Sequence, residues 1–213
     1  MKIISLISGE FDSPVASYLM YMQGHELEFV HFDSRPFNNQ MPVIKSKKSI
    51  AALKKHFKLK DSHKFKLFII PHDKLIAEFM NKCSLKNIYV LWRRSMMRCA
   101  QKQANKRNAQ ALLTGDSLGQ VASQTLDNIY SINKSISIPI IRPLIGMNKA
   151  TIIDMSKKIG THDIAILPSV CCSVSPKHPV THSNLALIEA EESDIKIDEF
   201  EDESLSRMKT VLI

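Results

Sequence analysis

Three short polar segments contain residue types that could hold a nucleotide phosphate group. They are SGEFDS (8–13), HFDSRP (31–36) and TGDSLGQ (114–120). In the first, the small residues Ser8 and Gly9 let the backbone approach an anion, which a following helix N-terminus would also attract. Asp12 could hold Mg²⁺ together with phosphate oxygens, and Ser13 could donate its hydroxyl or cap the helix. A plain strand–turn–helix connection would show the same residues, so this segment alone leaves both interpretations open.

Each of these segments follows a predicted β-strand. Apolar and β-branched runs typical of buried strands occur at 2–7, 26–32, 65–71, 109–116 and 136–143. Stretches that predict helices lie between them, at 14–23, 41–57, 73–82, 89–107, 118–130 and 149–160. This alternation predicts an α/β fold: a doubly wound, mostly parallel five-stranded sheet with helices on both faces. Ligands bind such sheets beyond the carboxyl ends of the strands, where all three segments would lie.

Charge is distributed unevenly along the chain. Residues 189–213 contain nine acidic and three basic residues, whereas residues 1–188 contain 26 basic and 12 acidic residues. We expect one domain over 1–188, followed by an acidic C-terminal tail over 189–213. The positive charge of the domain favours a polyanionic partner, although a solvated lysine-rich surface would have the same composition.

The sequence shows no sign of a membrane segment. No apolar run approaches the ~18 residues needed to span a bilayer, and the apolar start of the chain meets Glu10 and Asp12 within a few residues. This pattern indicates a first strand rather than a signal peptide. The cysteines are Cys83, Cys99, Cys171 and Cys172. They lack zinc-ligand spacing, and adjacent cysteines rarely bond to each other, so we expect a cytoplasmic protein.

Longer motifs extend the pattern of the first segment, which is not a Walker loop because no GK[ST] follows its glycine. The pattern SG-x-x-DS after a first strand resembles the PP-loop, which binds the pyrophosphate of ATP in enzymes that release AMP. Other segments resemble the ThiI family of tRNA 4-thiouridine synthetases: RRSMMRCA (93–100), TGDSLGQVASQT (114–125), IIRPLIGMNKATII (140–153) and SPKHPVT (175–181). The resemblance covers about residues 1–185. It implies that ATP adenylates the O4 atom of a tRNA uridine, and that a cysteine persulfide then delivers sulfur.

Residue roles follow from this resemblance where positions match. The expected nucleotide-binding residues are Leu6, Ile7, Ser8, Gly9, Ser13, His31, Phe32, Arg93, Gly115 and Gln124. His31 and Phe32 would flank the adenine or ribose, Arg93 would face phosphate, and Gly115 would let the fourth strand pass close to the nucleotide. Packing at a strand end, or a solvated arginine, would otherwise explain the first three residues.

The expected catalytic residues are Asp12, which is also the expected Mg²⁺ ligand, Lys149 and Cys172. Lys149 matches the family lysine tied to adenylation and would neutralise charge on the α-phosphate. Cys172 lies 23 residues after Lys149, a spacing that resembles that of the family's catalytic cysteine, and would carry the persulfide. Its neighbour Cys171 remains an alternative carrier. Cys83 and Cys99 are expected to be packing residues.

Three features depart from the family pattern. Its loop usually has a second glycine where this chain has Glu10, whose carboxylate would either repel phosphate or join Asp12 in holding Mg²⁺. Members with an iron–sulfur cluster have a CxxC before the RR motif, where this chain has Tyr89 and Trp92, so no cluster is expected. We also expect no THUMP-containing region and no rhodanese domain, in which case a separate THUMP-type tRNA-binding protein and a sulfur donor such as a cysteine desulfurase would supply these functions.

Two other functions stay open at the level of sequence. The domain could adenylate a different carbonyl group, or it could be a degenerate nucleotide-binding module that assembles with a partner. Glu10 and the missing tRNA-binding region favour these alternatives. Retention of Asp12, Ser13, Lys149 and Cys172 favours the sulfurtransferase, because a binding module needs no thiol.

Overall fold

Six strands form one sheet in the order β5-β4-β1-β2-β3-β6. The structure is a computed structural model and describes residues 1–169, 174 and 176–213. The strands are β1 (Lys2–Leu6), β2 (Glu26–Asp33), β3 (Lys66–Pro71), β4 (Ala111–Leu113), β5 (Ile140–Ile141) and β6 (Lys209–Leu212). Strands β1 to β5 are parallel and β6 is antiparallel to β3. The predicted mostly parallel α/β fold is therefore confirmed, with one strand more than the five expected.

The helices connect and flank these strands. They are α1 (Asp12–Met22), α2 (Met41–His56), α3 (Asp73–Lys82), α4 (Ile88–Lys106), α5 (Leu126–Asn133), α6 (Lys149–Lys158), α7 (His162–Ala165), α8 (Leu185–Ser193) and α9 (Ile197–Ser206). Two short 3₁₀ turns occur at Leu85–Asn87 and Ala122–Gln124. Among the described residues, no helix is long and apolar enough to cross a bilayer.

Successive strand residues supply two apolar layers, as expected of strands buried on both faces. Ile3 faces the layer completed by α1, α2 and α6, which contribute residues such as Ile50 and Ile152. Ile4 faces the opposite layer, completed by α3, α4, α8 and α9, with Phe79 at its centre. Helices therefore cover both faces of the sheet, as predicted.

The direction of chain winding reverses at β1. The chain runs outward from β1 to β2 and β3 with α1 and α2 on one face, and then returns through α3 and α4 on the other face to β4. Neighbouring strands whose connections leave in opposite directions open a crevice beyond their carboxyl ends. The crevice between β1 and β4 is the place where this fold provides a ligand site.

Some predicted elements are shorter than expected. Strands β4 and β5 are shorter than the predicted runs 109–116 and 136–143. The two strands pair with each other over only two residues. Pro139, just before β5, has no N–H group that could extend this pairing. The helix expected at 118–130 is instead a turn, a 3₁₀ turn and α5. Helix α5 begins only after Thr125, whose side chain caps its N-terminus.

Residues 189–213, for which we expected an acidic tail, pack onto the domain. Helices α8 and α9 place their acids against basic side chains of α4: Arg94 pairs with Glu192 at 2.9 Å, and Arg98 with Glu201 at 2.6 Å. Strand β6 then continues the sheet beside β3. This segment folds because it packs Ile195, Phe200 and Leu205 against the core and pairs its acids with α4. Neither set of contacts was apparent from the order of residues along the chain.

Candidate active site

A cleft of ≈ 400 Å³ lies beyond the carboxyl ends of β1, β2 and β4, a volume suited to a small organic ligand. The sequence-predicted residues that line it are Leu6, Ile7, Ser8, Asp12, Ser13, His31, Phe32, Arg93, Gly115 and Gln124. Gly9 lies between the lining residues Ser8 and Glu10, and Lys149 contacts the lining residue Asp12. Cys171 and Cys172 lie outside the described residues. The fold thus gathers nearly all described residues of the predicted site at one place.

The loop between β1 and α1 is held by its own side chains. The Oγ atom of Ser13 accepts a hydrogen bond from the backbone N–H of Ser8 at 2.9 Å, so this hydroxyl fixes the loop rather than capping the helix as we expected. Helix α1 begins at Asp12, and its N-cap residue, Phe11, makes no side-chain hydrogen bond to the helix. The N–H groups of Asp12 and Ser13 are therefore available to an anion in the cleft, whereas Pro14 has no N–H.

Two glycines permit close backbone approaches around this loop. Gly9 has φ +79°, and a Cβ atom there would lie 2.5 Å from the Cβ of Lys45, so no other residue fits without displacing α2. A Cβ on Gly115 would lie 2.6 Å from the backbone N of Ser13. The tightest approach of Gly115 is to the first turn of α1, which fixes the cleft between β1 and β4. Gly115 also lines the cleft, and its expected close approach to the nucleotide stays a prediction.

Asp12 and Lys149 form an ion pair beside the loop. The Lys149 Nζ atom donates to both carboxylate oxygens of Asp12, at 2.7 and 2.9 Å. Lys149 is the first residue of α6, where the helix dipole disfavours a cation, and the side chain of Asn148 caps this helix by accepting from the Thr151 N–H at 2.8 Å. Asp12 offsets the unfavourable position of the lysine, and the pair brings two predicted catalytic residues together from opposite ends of the chain.

Glu10 is paired with a buried lysine. Lys45 on α2 is only 1% exposed, and its Nζ atom donates to the Ala165 carbonyl at 2.8 Å, to Glu10 Oε1 at 3.3 Å and to Ser169 Oγ at 3.4 Å. The Glu10 side chain remains 53% exposed and lines the cleft. The carboxylate that departs from the family's glycine is therefore charge-compensated, an arrangement that sequence reasoning missed because nothing in the sequence marks Lys45 as buried.

A second ionic cluster surrounds Asp116 at the end of β4. Arg93 Nη2 lies 2.6 Å from one carboxylate oxygen, and Arg142 Nε and Thr114 Oγ1 lie 3.0 and 2.8 Å from the other. Burial alone would raise the pKa of Asp116, but the two arginines and the threonine outweigh it and lower the pKa to about 2. The cluster retains one net positive charge, which favours phosphate nearby. Asp116 and Arg142 lie in the recognised TGDS and IIRP motifs, although we assigned them no role.

His31 lines the cleft and has one ring nitrogen without a partner among the described residues. Its Nδ1 lies 2.8 Å from the Ile7 carbonyl and 2.8 Å from Ser46 Oγ. Because a carbonyl only accepts, Nδ1 carries the hydrogen in the tautomer that satisfies this contact, which leaves Nε2 as an acceptor. Nε2 is buried and has no partner among the described residues. Burial lowers the pKa of His31, so the neutral ring could accept a hydrogen bond from an amino or hydroxyl group of a ligand.

The described cysteines are poorly suited to sulfur chemistry. Burial is the main cause that raises the pKa of Cys83, to about 11, and burial raises the pKa of Cys99 further still. Cys99 is fully buried in the core, as expected of a packing residue. Both thiols stay protonated at neutral pH and are weak nucleophiles.

Comparisons with known proteins agree with this geometry. A family model described as "Thiamine biosynthesis protein (ThiI)" matches residues 1–197. A probable tRNA sulfurtransferase of Thermoanaerobacter pseudethanolicus is 42% identical over 95% of this chain and 53% of its own length. One of Acetivibrio thermocellus is 38% identical over 100% of this chain and 53% of its own length.

A solved structure also resembles this chain closely. The crystal structure of a 4-thiouridine synthetase–RNA complex with bound ATP superposes with a TM-score of 0.93 and 35% identity, covering 100% of this chain and 55% of that one. The chain thus spans about half the length of the relatives that it matches. Family model, relatives and structure agree with one another, and the chain belongs to the ThiI family.

Proposed function

We propose that this chain is the adenylating and sulfur-transferring domain of a tRNA 4-thiouridine synthetase. The observation that carries the proposal is the Asp12–Lys149 ion pair, set beside an uncapped helix N-terminus in a cleft of nucleotide size. A carboxylate and a lysine at the phosphate end of such a cleft are suited to adenylation. The resemblance to a 4-thiouridine synthetase with bound ATP supports this assignment.

ATP would lie across the carboxyl ends of the central strands. Its adenine and ribose would pack near Leu6, Ile7 and Phe32, with His31 Nε2 accepting a hydrogen bond, and its phosphates would lie over the loop 8–13. Arg93 and the free N–H groups of α1 would attract the phosphate charge. Gln124, which also lines the cleft, would hydrogen-bond the nucleotide.

Mg²⁺ would bind this site together with ATP, with ligands from both the phosphates and the protein. No group of three or more His, Cys, Asp or Glu residues in the described part of the chain could hold a metal ion. Mg²⁺ usually takes one or two carboxylates together with substrate phosphates and water, which Asp12 can supply. The ion would neutralise phosphate charge, and Lys149 would stabilise charge that develops on the α-phosphate during attack by uridine O4.

Sulfur transfer would follow adenylation. O4 attacks the α-phosphate and pyrophosphate leaves; the terminal sulfur of a Cys172 persulfide then attacks C4, and the C4–O bond breaks with release of AMP. A second thiol attacks the Cys172 sulfur of the resulting mixed disulfide, which frees the thiolated base and leaves a protein disulfide for an external reductant. Cys171 is the nearest candidate in sequence for the second thiol, but a disulfide between adjacent cysteines is strained, so the thiol of an external reductant is the alternative. A cysteine desulfurase or similar donor would load Cys172, and a THUMP-type region or protein would hold the tRNA.

The test measures AMP and pyrophosphate formation from ATP and tRNA. We expect the wild-type protein to form both products from ATP when tRNA is present and neither product when tRNA is left out. Lys149→Gln should reduce product formation at least a hundredfold while ATP binding changes only a few-fold. A matched control is Lys157→Gln, which removes an exposed lysine of the same helix. Calorimetry that detects no ATP binding up to millimolar concentrations would instead identify a degenerate binding module, and pyrophosphate release that tRNA does not stimulate would point to a different acceptor.

A further inference from the structure

The positive charge of the molecule is neutralised on one helix and left free on another. On α4, Arg94, Arg98 and Lys102 pair with acids of α8 and α9. The stretch 47–64, from α2 into the loop before β3, has seven lysines and a single acid, Asp61. Within the described residues, the nearest lysine–acid pairs lie just outside its two ends, at Lys45–Glu10 and Lys66–Glu28.

Four of the five lysines of α2 lie on one face of the helix, and the fifth is the buried Lys45. Lys47 and Lys54 follow a spacing of seven residues, and Lys48 and Lys55 follow the same spacing beside them. The apolar residues of α2, such as Val43, Ile50 and Leu53, are buried against the sheet. We call the set formed by Lys47, Lys48, Lys54, Lys55, Lys58, Lys60 and Lys64 the lysine face.

The helix that carries the lysine face begins at the cleft. Pro42, in the first turn of α2, lines the cleft, and the backbone of Ser46 packs against Gly9 of the phosphate loop. From Lys47 to Lys55 the helix rises about 12 Å, enough to pass two or more phosphates of one nucleic-acid strand. The face therefore forms a charged track that leads away from the proposed adenylation site.

The side chains of the lysine face favour one kind of partner over the others. An anionic membrane would require apolar side chains to insert beside the lysines, and between them the helix exposes only small residues, Ala51 and Ala52. Protein interfaces are depleted in lysine and enriched in aromatic residues and arginine. A surface that offers only flexible point charges fits a phosphate backbone, which lysine contacts without reading sequence.

We propose that the lysine face binds the phosphate backbone of the RNA substrate and guides it to the cleft. The proposal rests on the proposed function only for the identity of that nucleic acid as tRNA. The surface lies on α2 and in the following loop, away from the groups assigned to adenylation. It supplies affinity rather than specificity.

The experiment compares two variants of equal charge change in tRNA binding across a salt series. The test variant is Lys47→Gln, Lys48→Gln, Lys54→Gln and Lys55→Gln. The control is Lys86→Gln, Lys106→Gln, Lys134→Gln and Lys209→Gln, whose side chains are exposed on other elements. We expect the test variant to bind tRNA at least tenfold more weakly at low salt, with a log–log salt slope smaller by about 3. The control should stay within about threefold of wild type, and ATP binding should be unchanged in both.

A second variant shows whether weaker binding comes from lost charge or from a folding defect. Ala51→Glu keeps every lysine, introduces one acid among them, and should also weaken tRNA binding. Equal weakening in test and control variants, or an unchanged salt slope in the test variant, would overturn the proposal. It would also fail if vesicles rich in phosphatidylserine bound the wild-type protein through these lysines while tRNA did not. If the protein binds tRNA through these lysines but forms no pyrophosphate, the proposed function is refuted while the proposed role of the lysine face is still supported.

Discussion

Glu10 is neutralised by Lys45, so the consequence of this acid for ATP depends on its partner. In Lys45→Met, an uncompensated carboxylate would remain beside the phosphates, and we expect ATP affinity to fall roughly tenfold, or about 1.4 kcal/mol. The double variant Glu10→Gly with Lys45→Met removes both charges and should recover to within about threefold of wild type. Calorimetry measures both values, with Lys47→Met on the same helix as the control. A double variant as weak as Lys45→Met alone would show that packing, not charge, caused the loss.

Asp116 makes stability depend on acid pH. Its pKa is lowered from 3.8 to about 2 in the folded protein, so its stabilising contribution is complete above pH 4 and disappears as pH falls through 2. The shift corresponds to about 2 kcal/mol of unfolding free energy. We expect the wild-type protein to lose this amount between pH 4.5 and 2 in excess of Asp116→Asn, measured by urea unfolding at each pH. Parallel pH profiles for the two proteins would contradict the assignment.

The cysteine assignment can be tested separately from ATP binding. Cys172→Ser should abolish 4-thiouridine formation in a reconstituted assay while ATP affinity is unchanged, because the mechanism needs its sulfur only after adenylation. Cys171→Ser should permit a single transfer but slow turnover. Cys83→Ser is the control, since its thiol has a pKa of about 11 and stays protonated. If Cys171→Ser lost thiolation while Cys172→Ser kept full activity, Cys171 rather than Cys172 would be the persulfide carrier.

At the scale of elements, the packing of α8 and α9 on α4 should contribute strongly to stability. Glu201 is fully buried between Arg98 and Lys102, whereas Asp198 pairs with Lys102 while 89% exposed. Glu201→Gln should lower the unfolding free energy by about 2 kcal/mol, because Arg98 loses one of its two carboxylate partners. Burial raises the pKa of Glu201, so removal of its charge offsets part of this loss. Asp198→Asn should change it by less than about 0.5 kcal/mol. Chemical denaturation measures both, and equal losses would show that charge number rather than burial matters.

Sequence patterns predicted the elements whose own residues determine them. Helix α2 and strand β3 follow from local periodicity and apolar content, and the carboxyl-end loops follow from strand direction. Strand β6 was missed because its four residues form only in pairing with β3. The burial of Lys45, the joining of Arg93 and Arg142 at Asp116, and the approach of Gly115 to α1 depend on contacts between distant segments. No local pattern encodes such contacts, so the sequence predicted which segments line the cleft better than the contacts that hold them together.

At the scale of the whole molecule, the distribution of charge predicts different salt dependences for two ligands. The acids of α8 and α9 pair with basic residues of α4, whereas the seven residues of the lysine face have a single acid, Asp61, among them in the sequence. If four of its lysines neutralise tRNA phosphates, raising salt from 50 to 200 mM should weaken tRNA binding on the order of a hundredfold. ATP, held in a cleft by backbone N–H groups, Arg93 and Mg²⁺, should lose only a few-fold over the same range, because partly buried charges are less screened than exposed ones. Both dissociation constants can be measured on one preparation. A salt dependence for ATP as steep as that for tRNA would mean that its phosphates bind at the surface rather than within the cleft.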